Sequence, residues 1–117
     1  MNKEILIICR GGGDLATGIV HRLFRAGYQV LILETAEPAA IRRQVSFCEA
    51  VYEGTATVEG VTAERIYTAK KQAVEEVLQR GRIPLLVDPD GRSIEVLKPD
   101  VVVDAIIAKK NLGTYKE

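Results

Sequence analysis

The chain has no tryptophan, a single histidine, two cysteines and one methionine. One histidine and the lack of any Cys-x-x-Cys spacing exclude a zinc site built from this protein alone, so no metal is expected. Two cysteines, Cys9 and Cys48, are too few for a disulfide scaffold. They read as a reduced pair of small apolar side chains, with a bridge between them left open. Net charge is also lacking: 16 basic residues balance 16 acidic ones, six of each in residues 1–58 and ten of each in 59–117. No basic face follows from that composition, which argues against nucleic-acid binding by bulk electrostatics. No apolar run approaches the roughly 20 residues that span a bilayer. The run Ile5 to Cys9 is too short for a signal-peptide core, and no small-residue cleavage site follows it. A cytoplasmic protein without a membrane partner is the expectation.

What is present is a globular pattern. Hydrophobic residues make up 47% of the chain, enough for a core, and 117 residues set the scale at one domain. Residues 4–9 form a β-branched apolar run of the kind buried on both faces of a parallel sheet. Helical spacing follows through Leu15, Ala16, Ile19, Val20, Leu23 and Phe24, with Gly27 as a stop. Gln29 to Leu33 is a second apolar run ending at Glu34. Strand, glycine turn, helix and strand within about 30 residues make a βαβ unit.

Pro38 fits the first turn of another helix, from Ala39 to about Val45 and extending to Val51 in one reading. In the other, Phe47 to Tyr52 is a short strand. Gly54 ends this segment, and residues 55–66 read as a small β-hairpin around Glu59-Gly60. Residues 69–80 carry the clearest helical pattern, with Thr68 as N-cap and Gly81 as stop. Ile83 to Val87 is a strand, Asp88-Pro89-Asp90-Gly91 a turn, and Ser93 to Leu97 a short helix. Val101 to Ile107 is expected to be the last buried strand. The fold class is therefore α/β, a mostly parallel sheet of four to six strands between helical layers. In such sheets ligands bind at the carboxyl ends of the strands. That rule gathers Arg10 to Asp14, Glu34, Asp88 and Asp104 to Asn111 into one neighbourhood.

Gly11-Gly12-Gly13-Asp14-Leu15-Ala16 matches G-x-G-x-x-G/A directly after a strand and at the opening of a helix, the setting this Rossmann-type fingerprint requires. Gly11 allows the tight turn, Gly13 lets backbone approach a pyrophosphate, and Ala16 lets helix and strand pack closely. The helix N-terminus offers unpaired N–H groups and partial positive charge to phosphates. Glu34 stands about 20 residues beyond the glycines, the place of an acid that binds the ribose hydroxyls. An acid there disfavours a 2′-phosphate, so NAD, FAD or another adenosine nucleotide is favoured over NADP. The bland alternative is a tight strand–helix turn that binds nothing. Two residues depart from the fingerprint: Arg10 sits where a small or apolar residue is usual, and Asp14 brings a carboxylate near the phosphate. Asp14 serves equally well as a partner of the helix dipole.

Several blocks together resemble a known family. These are Arg10 to Gly18, Glu37 to Arg43, Val45 to Gly54, Val58 to Val61, Pro84 to Pro89 and Lys98 to Thr114. They are similar to the YqeB-type proteins, which are associated with the selenium-dependent molybdenum hydroxylase system. That family is loosely related to the XdhC/CoxF maturation factors of xanthine and carbon monoxide dehydrogenases. The resemblance implies a Rossmann-like domain in an accessory protein of a molybdenum hydroxylase, not the hydroxylase itself. It also implies members about twice this long, so that residues 1–117 form one N-terminal domain and apolar surface is left for a homodimer.

Asp88 and Asp104, with Lys109, Lys110 and Asn111, could hold a ribose, a metal ion or a pterin phosphate. The plainer readings are a turn residue, a loop cap and a solvated pair. Arg42 and Arg43 could reach a phosphate or pair with Glu34 or Glu37. Tyr67-x-x-x-Lys71 matches the catalytic pair of short-chain dehydrogenases only formally, because those enzymes use a differently spaced glycine turn. His21 reads as an exposed surface residue, Cys9 as core and Cys48 as partly exposed. No nucleophile, base and orienting group can be recognised together.

Overall fold

The computed structural model describes residues 5–11, 14–35, 46–88 and 90–104, with backbone alone for Asp14 and Leu15. The chain begins as the fingerprint requires. Strand β1 (Leu6–Arg10) leads through Gly11 into helix α1 (Asp14–Arg25), and β2 (Gln29–Glu34) returns parallel to β1. Gly27, at a φ of 99°, turns the chain between α1 and β2 in a conformation that favours glycine. A 3-10 turn (Phe47–Glu49) runs into the short helix α2 (Ala50–Glu53), so the strand reading of 47–52 gives way to a helical one. The helix expected from Pro38 to Val45 lies outside the described residues.

β3 (Thr55–Val58) and β4 (Val61–Ile66) form the expected hairpin. Both turn residues, Glu59 and Gly60, take positive φ (46° and 84°), the tight two-residue turn that matches strand twist. Helix α3 (Lys71–Gln79) starts after Lys70, whose side chain makes no cap bond, and not at Thr68. β5 (Ile83–Val87), α4 (Arg92–Leu97) and β6 (Val101–Asp104) complete the order.

The strands lie in the order β3-β4-β5-β2-β1-β6, and every pairing except β3–β4 is parallel. This mostly parallel, six-stranded α/β sheet is Rossmann-like. Side chains alternate between two clusters, as strand geometry demands. On one face Cys9, Val30, Ile32, Ala63, Ile83 and Leu85 meet Ala16 and Val20 of α1 and Phe47, Ala50 and Val51. On the other, Ile8, Leu31, Leu33 and Leu86 meet Val74 and Val77 of α3, with Ile94 and Leu97 of α4 against them. The backbone N–H of Phe47 donates to Thr17 Oγ1 at 2.9 Å, tying the 3-10 turn to α1 beneath this layer.

β6 is not the buried strand the sequence implied. It is the edge, with Val101 45% and Val102 43% exposed. The valine run signals β structure equally at a centre or an edge, and the neighbours decide which. Cys48, expected to be partly exposed, is buried beside Phe47 in the 3-10 turn. His21 is half-buried, its Nε2 lying 3.3 Å from the carbonyl of Glu59 in the hairpin turn.

Candidate functional site

Strand order reverses at β1: the chain winds from β1 outward through β2, then returns to place β6 on β1's other side. The carboxyl ends of β1 and its neighbours thus frame the crevice that such sheets use for ligands. Gly11 takes a φ of 111°, which L side chains rarely adopt, and its N–H donates to the Leu33 carbonyl at 2.7 Å. The start of the turn is therefore pinned to β2. Gly12 and Gly13 lie outside the described residues. Ala16 is buried against the strands, where a larger side chain would lift α1 from the sheet.

Cys9 lies beneath this turn, its Sγ 3.7 Å from the carbonyl of Gly11. Burial, and after it the negative charges of Glu34 and Asp104, push its thiol up to about 12. The sulfur is thus a protonated packing atom and no nucleophile at neutral pH. The register pairs Cys9 with Ile32 of β2 and Val103 of β6, two residues before Glu34 and one before Asp104.

Glu34 closes β2 on the face shared with Ile32 and α1. It is only 6% exposed, and one carboxylate oxygen accepts the Thr35 N–H at 2.9 Å. Arg10, the departure from the fingerprint, ends β1 and reaches across the crevice. Its Nη1 lies 3.3 Å from Asp104 Oδ2, with both side chains about three-quarters buried. Its guanidinium also passes Gly91, where an added Cβ would stand 3.6 Å from Arg10 Cζ.

Asp88 has a structural task. Its carboxylate accepts the Ser93 hydroxyl at 2.6 Å, the Ser93 N–H at 2.7 Å and the Arg92 N–H at 3.2 Å. It thereby caps the start of α4. Burial raises its pKa, but the bonds from Ser93, Arg92 and Gly91 outweigh that and hold it below the ordinary value. Its own N–H donates to the Glu34 carbonyl at 2.9 Å, joining the ends of β5 and β2.

The structure thus brings Gly11, Glu34, Asp88 and Asp104 to one end of the sheet and sets Arg10 among them. Lys109, Lys110, Asn111, Arg42 and Arg43 fall outside the described residues. Lys71 stands on the exposed first turn of α3, while Tyr67 precedes that helix, so the two do not share a helical face. Sequence reasoning passed over Arg65, next to Tyr67 at the end of β4; the only signal was an Arg-x-Tyr pair closing a strand. Among the described residues no group of three or more His, Cys, Asp or Glu could hold a metal ion, and no helix is long and apolar enough to cross a membrane.

The chain is 49% identical over 109 residues to the uncharacterized protein YqeB of Escherichia coli (strain K12). The match covers 93% of this chain and 20% of that protein. It supports a YqeB-type protein. The chain spans about a fifth of the length of that relative, not the half that the resemblance implied. No family model matches the chain, and no solved structure matches it.

Proposed function

We propose that this YqeB-type chain binds an adenosine dinucleotide, NAD or FAD in preference to NADP, across the ends of β1 and β2. The observation that carries the reading is the glycine turn at the strand-order reversal, with Gly11 in its positive-φ conformation and an acid at the end of the adjoining strand. The helix α1 N-terminus supplies N–H donors and partial positive charge for the phosphates. Ala16 sets the distance between helix and sheet. Glu34 accepts from the ribose hydroxyls and repels a 2′-phosphate. Arg10 adds positive charge beside the turn, held in place by Asp104. NAD would supply hydride chemistry; the residues of this chain hold and orient it.

The wider role is that of an accessory protein in a selenium-dependent molybdenum hydroxylase system. Its support is the sequence resemblance and the YqeB match. A homodimer across the exposed β6 edge belongs to the same reading, and a monomeric mass by light scattering contradicts it. A second reading rests on a specific observation. Glu34 is almost fully buried and the Arg10–Asp104 pair spans the crevice, as suits a module that binds no nucleotide and serves assembly.

A thermal-shift panel with NAD, NADH, NADP, FAD, ATP and CTP separates the two. A ligand at about 100 times its Kd adds about 2.7 kcal/mol, several degrees in a domain of this size. The expected result is a shift with NAD or FAD that is lost in Glu34→Gln and in a folded Gly13→Val protein. No shift with any nucleotide favours the assembly module.

A further inference from the structure

At the far side of the same sheet end stands a largely exposed aromatic ring. Tyr67 follows directly on β4 and is 73% exposed, the most exposed large hydrophobic side chain among the described residues. Such exposure is unusual for an aromatic residue, which is normally at least partly covered. The ring is nevertheless positioned. The Arg65 guanidinium lies over it, 4.8 Å from the ring centroid. Arg65 is in turn anchored: its Nη1 donates to the Val51 carbonyl at 2.6 Å, and its backbone N–H to the Gly54 carbonyl at 2.8 Å. Its Nε is buried with no acceptor among the described residues. A buried donor left unmet costs stability, so Arg65 holds this position at a cost.

The topology says where the ring stands. β4 is parallel to β5, β5 to β2 and β2 to β1, so Tyr67 lies in the same row of carboxyl ends as Glu34 and Gly11. A nucleotide with its phosphates at the β1 turn and its ribose at Glu34 runs away from β6, toward β5 and β4. At the end of β5 it meets half-buried Val87, an apolar floor, and Asp88, whose carboxylate is engaged with α4. Tyr67, just past the end of β4, stands two strands or roughly 10 Å from β2 in that direction.

We propose that Tyr67, backed by Arg65, is the stacking platform for the nucleobase of this nucleotide, and that it favours the larger ring of a purine. This rests on the nucleotide reading above and extends it to the base. An exposed ring with a cation on one face leaves the other free for a base, and stacking needs no hydrogen-bond code.

The absence of tryptophan makes the test direct, because the emission of the four tyrosines is unmasked. The chain is titrated with ADP, and with pyrophosphate, which has no base, as wild type, Tyr67→Ala, Tyr67→Phe and Gly13→Val. ADP is expected to quench tyrosine emission in the wild type and much less in Tyr67→Phe. Loss of the ring in Tyr67→Ala weakens ADP about tenfold and leaves pyrophosphate unchanged, while Tyr67→Phe keeps the wild-type affinity. ADP binding that Gly13→Val abolishes but Tyr67→Ala leaves within about twofold overturns the platform and leaves the nucleotide reading standing. Failure of ADP to bind the wild-type chain overturns both.

Discussion

Cys9 offers the sharpest quantitative check on the geometry beneath the glycine turn. Its thiol is pushed up to about 12 from an ordinary 9.0, first by burial and then by Glu34 and Asp104. Two consequences follow. At pH 8 an ordinary thiol is about one-tenth ionised and one at 12 about one part in 10,000, so alkylation of the native thiol is suppressed by about a thousandfold from ionisation alone. The second concerns stability. Folding raises the pKa, so the unfolded chain gives up the proton first. The contribution is whole below pH 9 and falls as pH climbs toward 12. Over that window it amounts to about 4 kcal/mol, of which roughly a third is gone by pH 10. The assay uses a Cys48→Ala background, which leaves Cys9 as the sole thiol. Iodoacetamide labelling is followed at pH 8 with and without guanidinium, and urea unfolding is compared with Cys9→Ala between pH 8 and pH 10. Labelling of the native thiol at the unfolded rate, or a stability difference between the two proteins that stays flat across that range, refutes the burial of Cys9 beneath the glycine turn.

Two further changes probe the frame around the site. Asp88→Ala removes the cap of α4 and is expected to cost about 1 kcal/mol in urea unfolding at pH 7. Because the folded pKa of Asp88 is lowered, its contribution is present above the ordinary value of 3.8 and disappears as pH falls through the folded value, so wild type and Asp88→Ala converge in an acid titration. Ala16→Leu overpacks the contact between α1 and the sheet and is expected to cost about 1–3 kcal/mol by urea denaturation, with Ala16→Gly milder.

The sequence made the βαβ opening legible because three local signals coincide there: an apolar run, a glycine turn and an amphipathic helix. β5 was equally plain, an apolar pentad between Arg82 and Asp88. The burial of Glu34 was not legible, since position along a strand does not say whether a carboxylate meets solvent or a neighbouring N–H. Arg10 looked like a flaw in a phosphate fingerprint. Its partner Asp104 is 94 residues away, and only the register of β6 on β1 brings them together. The start of α3 moved past Thr68 because propensity marks helix boundaries loosely. Asp88 could be read as a turn residue, which it is, but its capping of α4 depends on how the turn is folded.

The pinning of β6 to β1 also sets an order of events in time. At one end Asp100 Oδ2 accepts the Leu6 N–H at 2.9 Å, and at the other Arg10 meets Asp104, both across 94 residues of chain. Contacts so distant in sequence are slow to close and form after nearer ones. On a ribosome adding about 5–20 residues per second, that flank of β1 waits roughly 5–20 s for its partner strand to be made. For that interval one edge of the strand that carries the glycine turn is unpaired, so closing β6 is the step at which the nascent sheet ceases to offer it to other chains.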